Sequence, residues 1–241
     1  MEEVPAAWAM ALEEVLLEGV ASGGRPTARF WRWEPSAATI GRFQDVDAEV
    51  DLEYCHLHGI DVVRRMSGGG AVFHDREGEF VYSLTVPEGS FPRGVVEAYG
   101  VVLDLVVSAL GELGLEAWVK DDNNVMVGDR KVSGNSQRRS RGVLQVHGTV
   151  LWRADEGTMF SVLRARAGEP VETRATPSRH HPVAGLGALC GVTLEGAYDA
   201  VLGALMAGRR WQATSWTEGE LTRAKELVRA KYGNDRWNLS L

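Results

Sequence analysis

The chain reads as an α+β protein, a mixed or mainly antiparallel β-sheet packed with helices. Three observations predict this. Residues 79–86 alternate with period two, Phe80, Tyr82 and Leu84 against Val81, Ser83 and Thr85, as a strand with two unlike faces does. Residues 92–113 place Val95, Tyr99, Val102, Leu103, Val106 and Leu110 near one stripe, the spacing of an amphipathic helix. Residues 131–137 and 143–152 flank the turn-rich stretch 138–142 as a hairpin, so strands follow one another directly and not through regular βαβ units.

The other elements follow in order. Residues 5–18 form a helix, with Pro5 in its first turn and Ala9, Leu12, Val15 and Leu16 on one face. A breaker at 22–26 precedes two short strands, 28–33 and 38–43, parted by Glu34-Pro35-Ser36. Residues 49–58 read as a helix stopped by Gly59, a C-cap type residue. A β-branched run over 60–63 leads into Arg64-Arg65-Met66-Ser67-Gly68-Gly69-Gly70 and a second apolar run. Beyond the long helix come a strand at 123–127, the turn Gly128-Asp129 and the hairpin. A helix at 156–165, an irregular stretch at 166–186 with three prolines, and helices at 194–206 and 217–232 complete the chain.

Composition excludes several classes. The net charge of −7 argues against a duplex nucleic-acid binder, which carries a basic face. No apolar run reaches the ~20 residues of a membrane span. The acidic N-terminus has no basic region followed by an apolar core, so no signal peptide is expected and the location is read as cytoplasmic. Two cysteines, Cys55 and Cys190, make neither a disulfide framework nor a zinc site.

Three stretches carry chemistry. In the first, consecutive glycines let the backbone approach a ligand, and their N–H groups can form an anion-binding concavity beside fixed arginine charge. A tight hairpin turn with surface arginines is the other reading of the same residues. In the second, Gly128-Asp129-Arg130-Lys131-Val132-Ser133-Gly134, a lysine enters a strand straight after a turn, where it could set a point charge on a phosphate or carboxylate. In the third, Gln145-Val146-His147-Gly148-Thr149, a His-Gly pair interrupts an apolar strand and again implies close approach.

Taken together and in this order, R-R-x-S-G-G-G-A-V-F-H-D, G-x-R-K-x-S-G-x-x-Q and H-G-T resemble the lipoate–protein ligase A family, within the wider biotin/lipoate ligase and octanoyltransferase group. The likeness extends to Arg29-Phe30-Trp31-Arg32-Trp33, to Thr39-Ile40-Gly41-Arg42-Phe43-Gln44 and to residues 231–238, and so covers nearly the whole chain.

The resemblance implies a class II biotin/lipoate ligase-like fold, residues 1–241 forming one catalytic domain without a C-terminal accessory domain. It implies ATP, Mg2+ and lipoate as reactants, with lipoyl-AMP as the intermediate. Lysines of lipoyl domains in 2-oxoacid dehydrogenase E2 subunits and of the glycine-cleavage H protein are the implied acceptors. A separate accessory-domain subunit is expected as a further partner; nucleic acid and membrane are not. By position, Lys131 is the catalytic residue and contacts both adenylate and acyl group. Arg65, Gly70, Ala71, Val72, Phe73 and Asn123 are expected to bind ATP or adenylate. Arg65, Ser67, Gly68, Gly69, His74, His147, Gly148 and Thr149 are expected to bind lipoate. Residues 166–186 would close over adenylate, with Arg174, Arg179 and His180 as contacts, and the Arg138–Arg141 turn would dock an acidic carrier.

Two departures matter. Asn124 stands where the family often has Asp, which leaves the metal ligands unassigned, with Asp121 and Asp122 close by. Relatives that transfer octanoyl or lipoyl groups without ATP use a cysteine near the His-Gly pair or before the lysine turn, and neither stretch has one here. The alternatives are an octanoyl or lipoyl transferase drawing on a carrier protein, and a lipoate- or adenylate-binding module inactive without its partner.

Overall fold

A computed structural model describes residues 1–164, 176, 178 and 181–240. In chain order the strands are β1 (Glu2–Val4), β2 (Thr27–Trp33), β3 (Ala37–Ile40), β4 (Asp61–Arg64), β5 (Val72–His74), β6 (Glu79–Pro87), β7 (Ala117–Lys120), β8 (Asn124–Val127), β9 (Arg130–Ser140) and β10 (Val143–Leu151). The α-helices are α1 (Ala6–Ala21), α2 (Val46–Glu49), α3 (Leu52–Leu57), α4 (Val95–Glu112), α5 (Glu156–Val162), α6 (Leu186–Cys190), α7 (Leu194–Met206), α8 (Glu218–Leu227) and α9 (Asp235–Asn238). Seven strands form one sheet in the order β1-β2-β6-β10-β9-β8-β7, and three form a second, β4-β3-β5. Among the strand pairs of the described residues only β1/β2 and β3/β4 are parallel, beside an isolated parallel bridge of Lys131 with Val183, so the α+β expectation holds.

The alternation read in β6 decides which layer lies where. Phe80 and Tyr82 join Val102, Leu103, Val106 and Leu110 of α4 and Val201 of α7 in one core. Val81 faces the other way, with Trp31, Trp33, Leu12 of α1 and Ala224 of α8. Helices thus cover both faces of the large sheet, and β6 within it buries apolar surface on both sides.

The structure corrects several sequence boundaries. The expected helix at 49–58 is two short helices, because Asp51 starts a new one by accepting from Tyr54 N. The strand expected at 38–43 ends at Ile40, and Gly41–Gln44 forms a turn closed by Gln44 Oε1 on Gly41 N at 2.8 Å. The hairpin strands run on to Ser140, leaving a two-residue turn at Arg141 (φ 54°) and Gly142 (φ 73°), a left-handed pair that matches the strand twist. The helix expected to end at 165 stops at Val162, and the last long helix passes into a π-helical turn at Val228–Tyr232.

The glycine stretch is not a hairpin. β4 and β5 do not pair with each other: β3 lies between them, parallel to β4 and antiparallel to β5. The loop from Arg65 to Ala71 therefore arches over the end of β3, tied there by Arg65 N to Ile40 O (3.0 Å) and Arg42 N to Ser67 O (2.9 Å).

Candidate active site

The arch roofs a cavity of about 420 Å³. Met10, Trp31, Trp33 and Val81 make an apolar wall, and Val95, Val96 and Tyr99 of α4 make part of its rim. Of the residues singled out from sequence, Arg65, Gly69, Gly70, Ala71, Val72, His74, Asn123, Lys131, His147, Gly148 and Thr149 all line it. Gly68 lines an adjoining depression, and Ser67 stands behind the wall, its Oγ 2.9 Å from His147 Nε2. Phe73 does not line the cavity. Period two turns its side chain away from the loop, and it packs with Ala38, Ile40 and Val46. Arg174, Arg179 and His180 lie outside the described residues.

Arg65 is buried and organises the arch from within. Its Nη2 donates to Gly68 O and Gly70 O, both at 2.7 Å, its Nε to Ser67 Oγ, and its Nη1 to Thr39 O and Oγ1. No described residue accepts from the N–H groups of Gly68, Gly69 and Gly70, so the arch turns carbonyls inward and keeps donors for an anion. The left-handed φ of +91° at Gly69 needs glycine. No carboxylate pairs with Arg65 among the described residues, and burial lowers its pKa to about 10. Its donors serve the loop, while its charge acts on the cavity.

Lys131 enters from the opposite wall. Its backbone is held by N–H to Pro182 O (2.8 Å) and by its carbonyl accepting from Ala184 N (3.0 Å). No described residue accepts from its Nζ. A Cβ on Gly134 would sit 2.6 Å from that Nζ, so the glycine makes room for the lysine end. Burial, then the charge of Arg65, lowers the lysine pKa to about 8, and the negative charge of Glu79 opposes this. His147 is pushed to about 3, first by burial and then by Arg65 and His74, so it is a neutral imidazole at physiological pH. An anion entering the cavity meets the Lys131 ammonium, which no described residue pairs, the Arg65 guanidinium and a set of backbone donors.

Sequence reading missed part of the wall. Asn135 accepts from Tyr82 Oη (2.5 Å), and its Nδ2 and backbone N both donate to Asn123 O, which fixes the Asn123–Asn124 corner. A Cβ on Gly148 would lie 1.9 Å from Asn135 Oδ1, which explains the His-Gly pair. Thr39, Trp33 and Glu79 were also missed. His74 stacks on Trp33 at 4.3 Å and has both ring nitrogens engaged, Nδ1 with Glu79 Oε1 (2.6 Å) and Nε2 with Thr39 Oγ1 (3.0 Å). It offers a ligand its ring surface only.

The Arg138–Arg141 stretch is less free than expected. Arg139 pairs with Glu88 at 3.0 Å, and Arg141 lies 3.8 Å from Glu18. Neither cysteine lines the cavity. Cys55 is buried among Val46, Val50 and Ile60 with its thiol pushed up to about 11 by burial, and Cys190 is exposed at the end of α6. Asp121 and Asp122 line the rim on a turn with positive φ, and no group of three His, Cys, Asp or Glu side chains converges for a metal among the described residues.

The fold and this cavity define an α+β protein whose pocket sets two buried cations and unbonded backbone N–H groups against an apolar wall. The chain belongs to the lipoyl protein ligase A/B catalytic domain family, whose model matches residues 5–206. The octanoyltransferase LipM of Geobacillus kaustophilus is 33% identical over 264 residues, 97% of this chain and 94% of that protein. A provisionally named lipoate-protein ligase A of Aeropyrum pernix is 37% identical over 174 residues, 72% of this chain and 64% of that protein. Among solved structures, the bipartite lipoate protein ligase of Thermoplasma acidophilum, studied with its E2 lipoyl domain, superposes with a TM-score of 0.85 at 26% identity, covering 100% of this chain and 95% of that one. A lipoate-protein ligase A bound with ATP gives a TM-score of 0.85 at 26% identity and covers both chains fully. The chain is thus an enzyme-family member of the lipoate ligase and transferase type. The names of the full-length relatives favour octanoyl transfer over ATP-dependent ligation.

Proposed function

We propose that the chain attaches a lipoyl group to a lysine of a lipoyl carrier domain by way of an acyl-adenylate. The lipoate carboxylate attacks the α-phosphate of ATP and pyrophosphate leaves. The acceptor amine then attacks the acyl carbon, gives up a proton and expels AMP. One observation carries this reading: Lys131 brings an Nζ that no described residue pairs into a cavity that no cysteine lines. Adenylate formation builds negative charge between two anions, and a cation in a desolvated site is what that step needs. A thioester route needs a thiol there.

In this reading Lys131 spans the α-phosphate and the acyl carbonyl. The donors of Gly68, Gly69 and Gly70 and the charge of Arg65 take the phosphate and carboxylate oxygens. Ala71, Val72, the backbone at Phe73 and Asn123 border the nucleotide, while His74, His147, Gly148 and Thr149 with Ser67 border the acyl chain. Asp121 and Asp122 are the rim carboxylates that fit a hydrated Mg2+ arriving with the nucleotide. Residues 1–241 act as one catalytic unit, to which a separate accessory chain adds. The carriers are lipoyl domains of the E2 and H-protein type.

The second reading, octanoyl transfer from a carrier protein, rests on the relatives named LipM. Lipoate-dependent ATP–pyrophosphate exchange separates the two. Exchange by the purified chain supports the adenylate route, and exchange that appears only with lysate points to the accessory chain. Octanoyl transfer without exchange overturns the ligase reading. The doubly substituted Cys55→Ala, Cys190→Ser chain is expected to keep the wild-type rate, whereas a thiol mechanism would stop.

A further inference from the structure

From the wall of the cavity back to a buried carboxylate runs a line of four side chains that the proposed chemistry leaves unused at one end. Arg65 Nη1 lies 3.2 Å from Thr39 Oγ1, Thr39 Oγ1 lies 3.0 Å from His74 Nε2, and His74 Nδ1 lies 2.6 Å from Glu79 Oε1. All four are buried, Glu79 to 1% exposure. The direction of the line follows from its first member. A guanidinium only donates, so Thr39 Oγ1 accepts from it. The threonine hydrogen is then available to His74 Nε2, and His74 Nδ1–H donates to the Glu79 carboxylate. Trp33 stacked on the imidazole prevents the ring from turning out of this line.

A carboxylate buried to this degree costs folding free energy unless it is held and used. Burial raises its pKa, and the charge and hydrogen bond of His74, with the Trp33 indole beside it, act against that rise and favour the carboxylate. The far end of the line is the guanidinium that shapes the glycine arch. We propose that Glu79, acting through His74 and Thr39, is a positioning residue for the reaction of this site: it fixes the Arg65 guanidinium and hence the arch, and it is the negative charge set behind the two cations of the cavity. This deepens the ligase reading, but the line exists whichever acyl transfer the chain performs.

The charge has a second effect on the same cavity. Lys131 shares it with Arg65 from the arch, His74 of β5, Asp121 and Asp122 from the β7–β8 turn, His147 of β10 and His181, while Glu79 of β6 stands behind His74. Burial and Arg65 disfavour the ammonium form of Lys131, and Glu79 favours it. Removing the Glu79 charge therefore moves loss of activity to lower pH, whereas removing the Thr39 hydroxyl leaves that limb in place.

The test is a double-mutant cycle of Glu79→Gln and Thr39→Val on the whole chain. It is read on ATP–pyrophosphate exchange or on octanoyl transfer, whichever the wild type shows, and on lipoate affinity through Trp31 and Trp33 fluorescence if it shows neither. Each single substitution is expected to lower turnover or affinity about tenfold, with the double little worse than either. The basic limb of the pH profile should move down in Glu79→Gln alone. A downfield imidazole N–H proton resonance in the wild type should vanish in both Glu79→Gln and His74→Gln. Additive losses, or an unmoved limb in Glu79→Gln, or no such resonance, would overturn the proposal. Octanoyl transfer without exchange in the wild type would overturn only the ligase reading.

Discussion

At the scale of the residue, no described residue accepts a hydrogen bond from Lys131 Nζ, and the charge of Glu79 only partly offsets what burial and Arg65 cost the ammonium. Its folded pKa of about 8 lies below the ordinary lysine value of 10.5. Between those values the unfolded chain holds a proton that the folded chain lacks, so this group's contribution to stability rises with pH from about 8 to 10.5 and is at its most unfavourable below about 8. Lys131→Met is accordingly expected to melt higher than wild type at pH 7 by about 2–5 °C, measured by calorimetry without ligand. The same substitution should lower adenylate formation by about 10²–10³-fold. In the wild type, exchange should fall as pH rises through about 8, because the cation is lost there; bound anion should move that limb upward.

At the scale of the element, the glycine arch depends on two approaches that differ in kind. A Cβ at Gly41 would lie 2.1 Å from Gly69 O, a backbone atom that cannot step aside. Gly41→Ala is expected to cost about 1–3 kcal/mol in urea unfolding and to weaken lipoate binding, because the turn and the arch must part. Gly68 has nothing within 4 Å of its Cβ position and no positive φ. Gly68→Ala should therefore leave the unfolding midpoint almost unchanged while raising KM, since the added methyl stands over the unbonded N–H groups. Equal losses of stability in the two variants would contradict this division. Gly148→Ala belongs with Gly41→Ala, because its methyl would displace Asn135 and the corner at Asn123.

At the scale of the whole molecule, the arch is braced by the far end of the chain. Arg64 has no exposed surface, and its guanidinium donates to Gly41 O, Gln44 O, Trp237 O and Asn238 O. One buried cation thus ties the end of β4, the turn after β3 and helix α9 together, and burial lowers its pKa. A lysine cannot satisfy four carbonyls in that fork. Arg64→Lys is expected to cost about 2–4 kcal/mol and to lower Tm by about 5–15 °C, with exchange lost in proportion to unfolding and not beforehand. Loss of exchange in a fully folded Arg64→Lys chain would instead place Arg64 in the site.

Much of this molecule was legible before folding. The helices α1, α4 and α7, the two faces of β6 and the β9–β10 hairpin follow from periodicity, since each buries a face set by its own repeat. Most of the motif residues reached the cavity because a strand end and the loop it carries move together. Strands β1 and β7 escaped notice because three or four residues have no period of their own and exist only by pairing. Tertiary structure alone decided that the glycine stretch is an arch over β3 and that Phe73 faces the core. It also decided that no described residue pairs with Lys131 Nζ and that Glu79 stands behind Arg65 and His74. The physical reason is one of range. Periodicity records burial along a segment's own axis, whereas desolvation and charge at a point sum over groups brought together from positions 39, 65, 74, 79, 131 and 147.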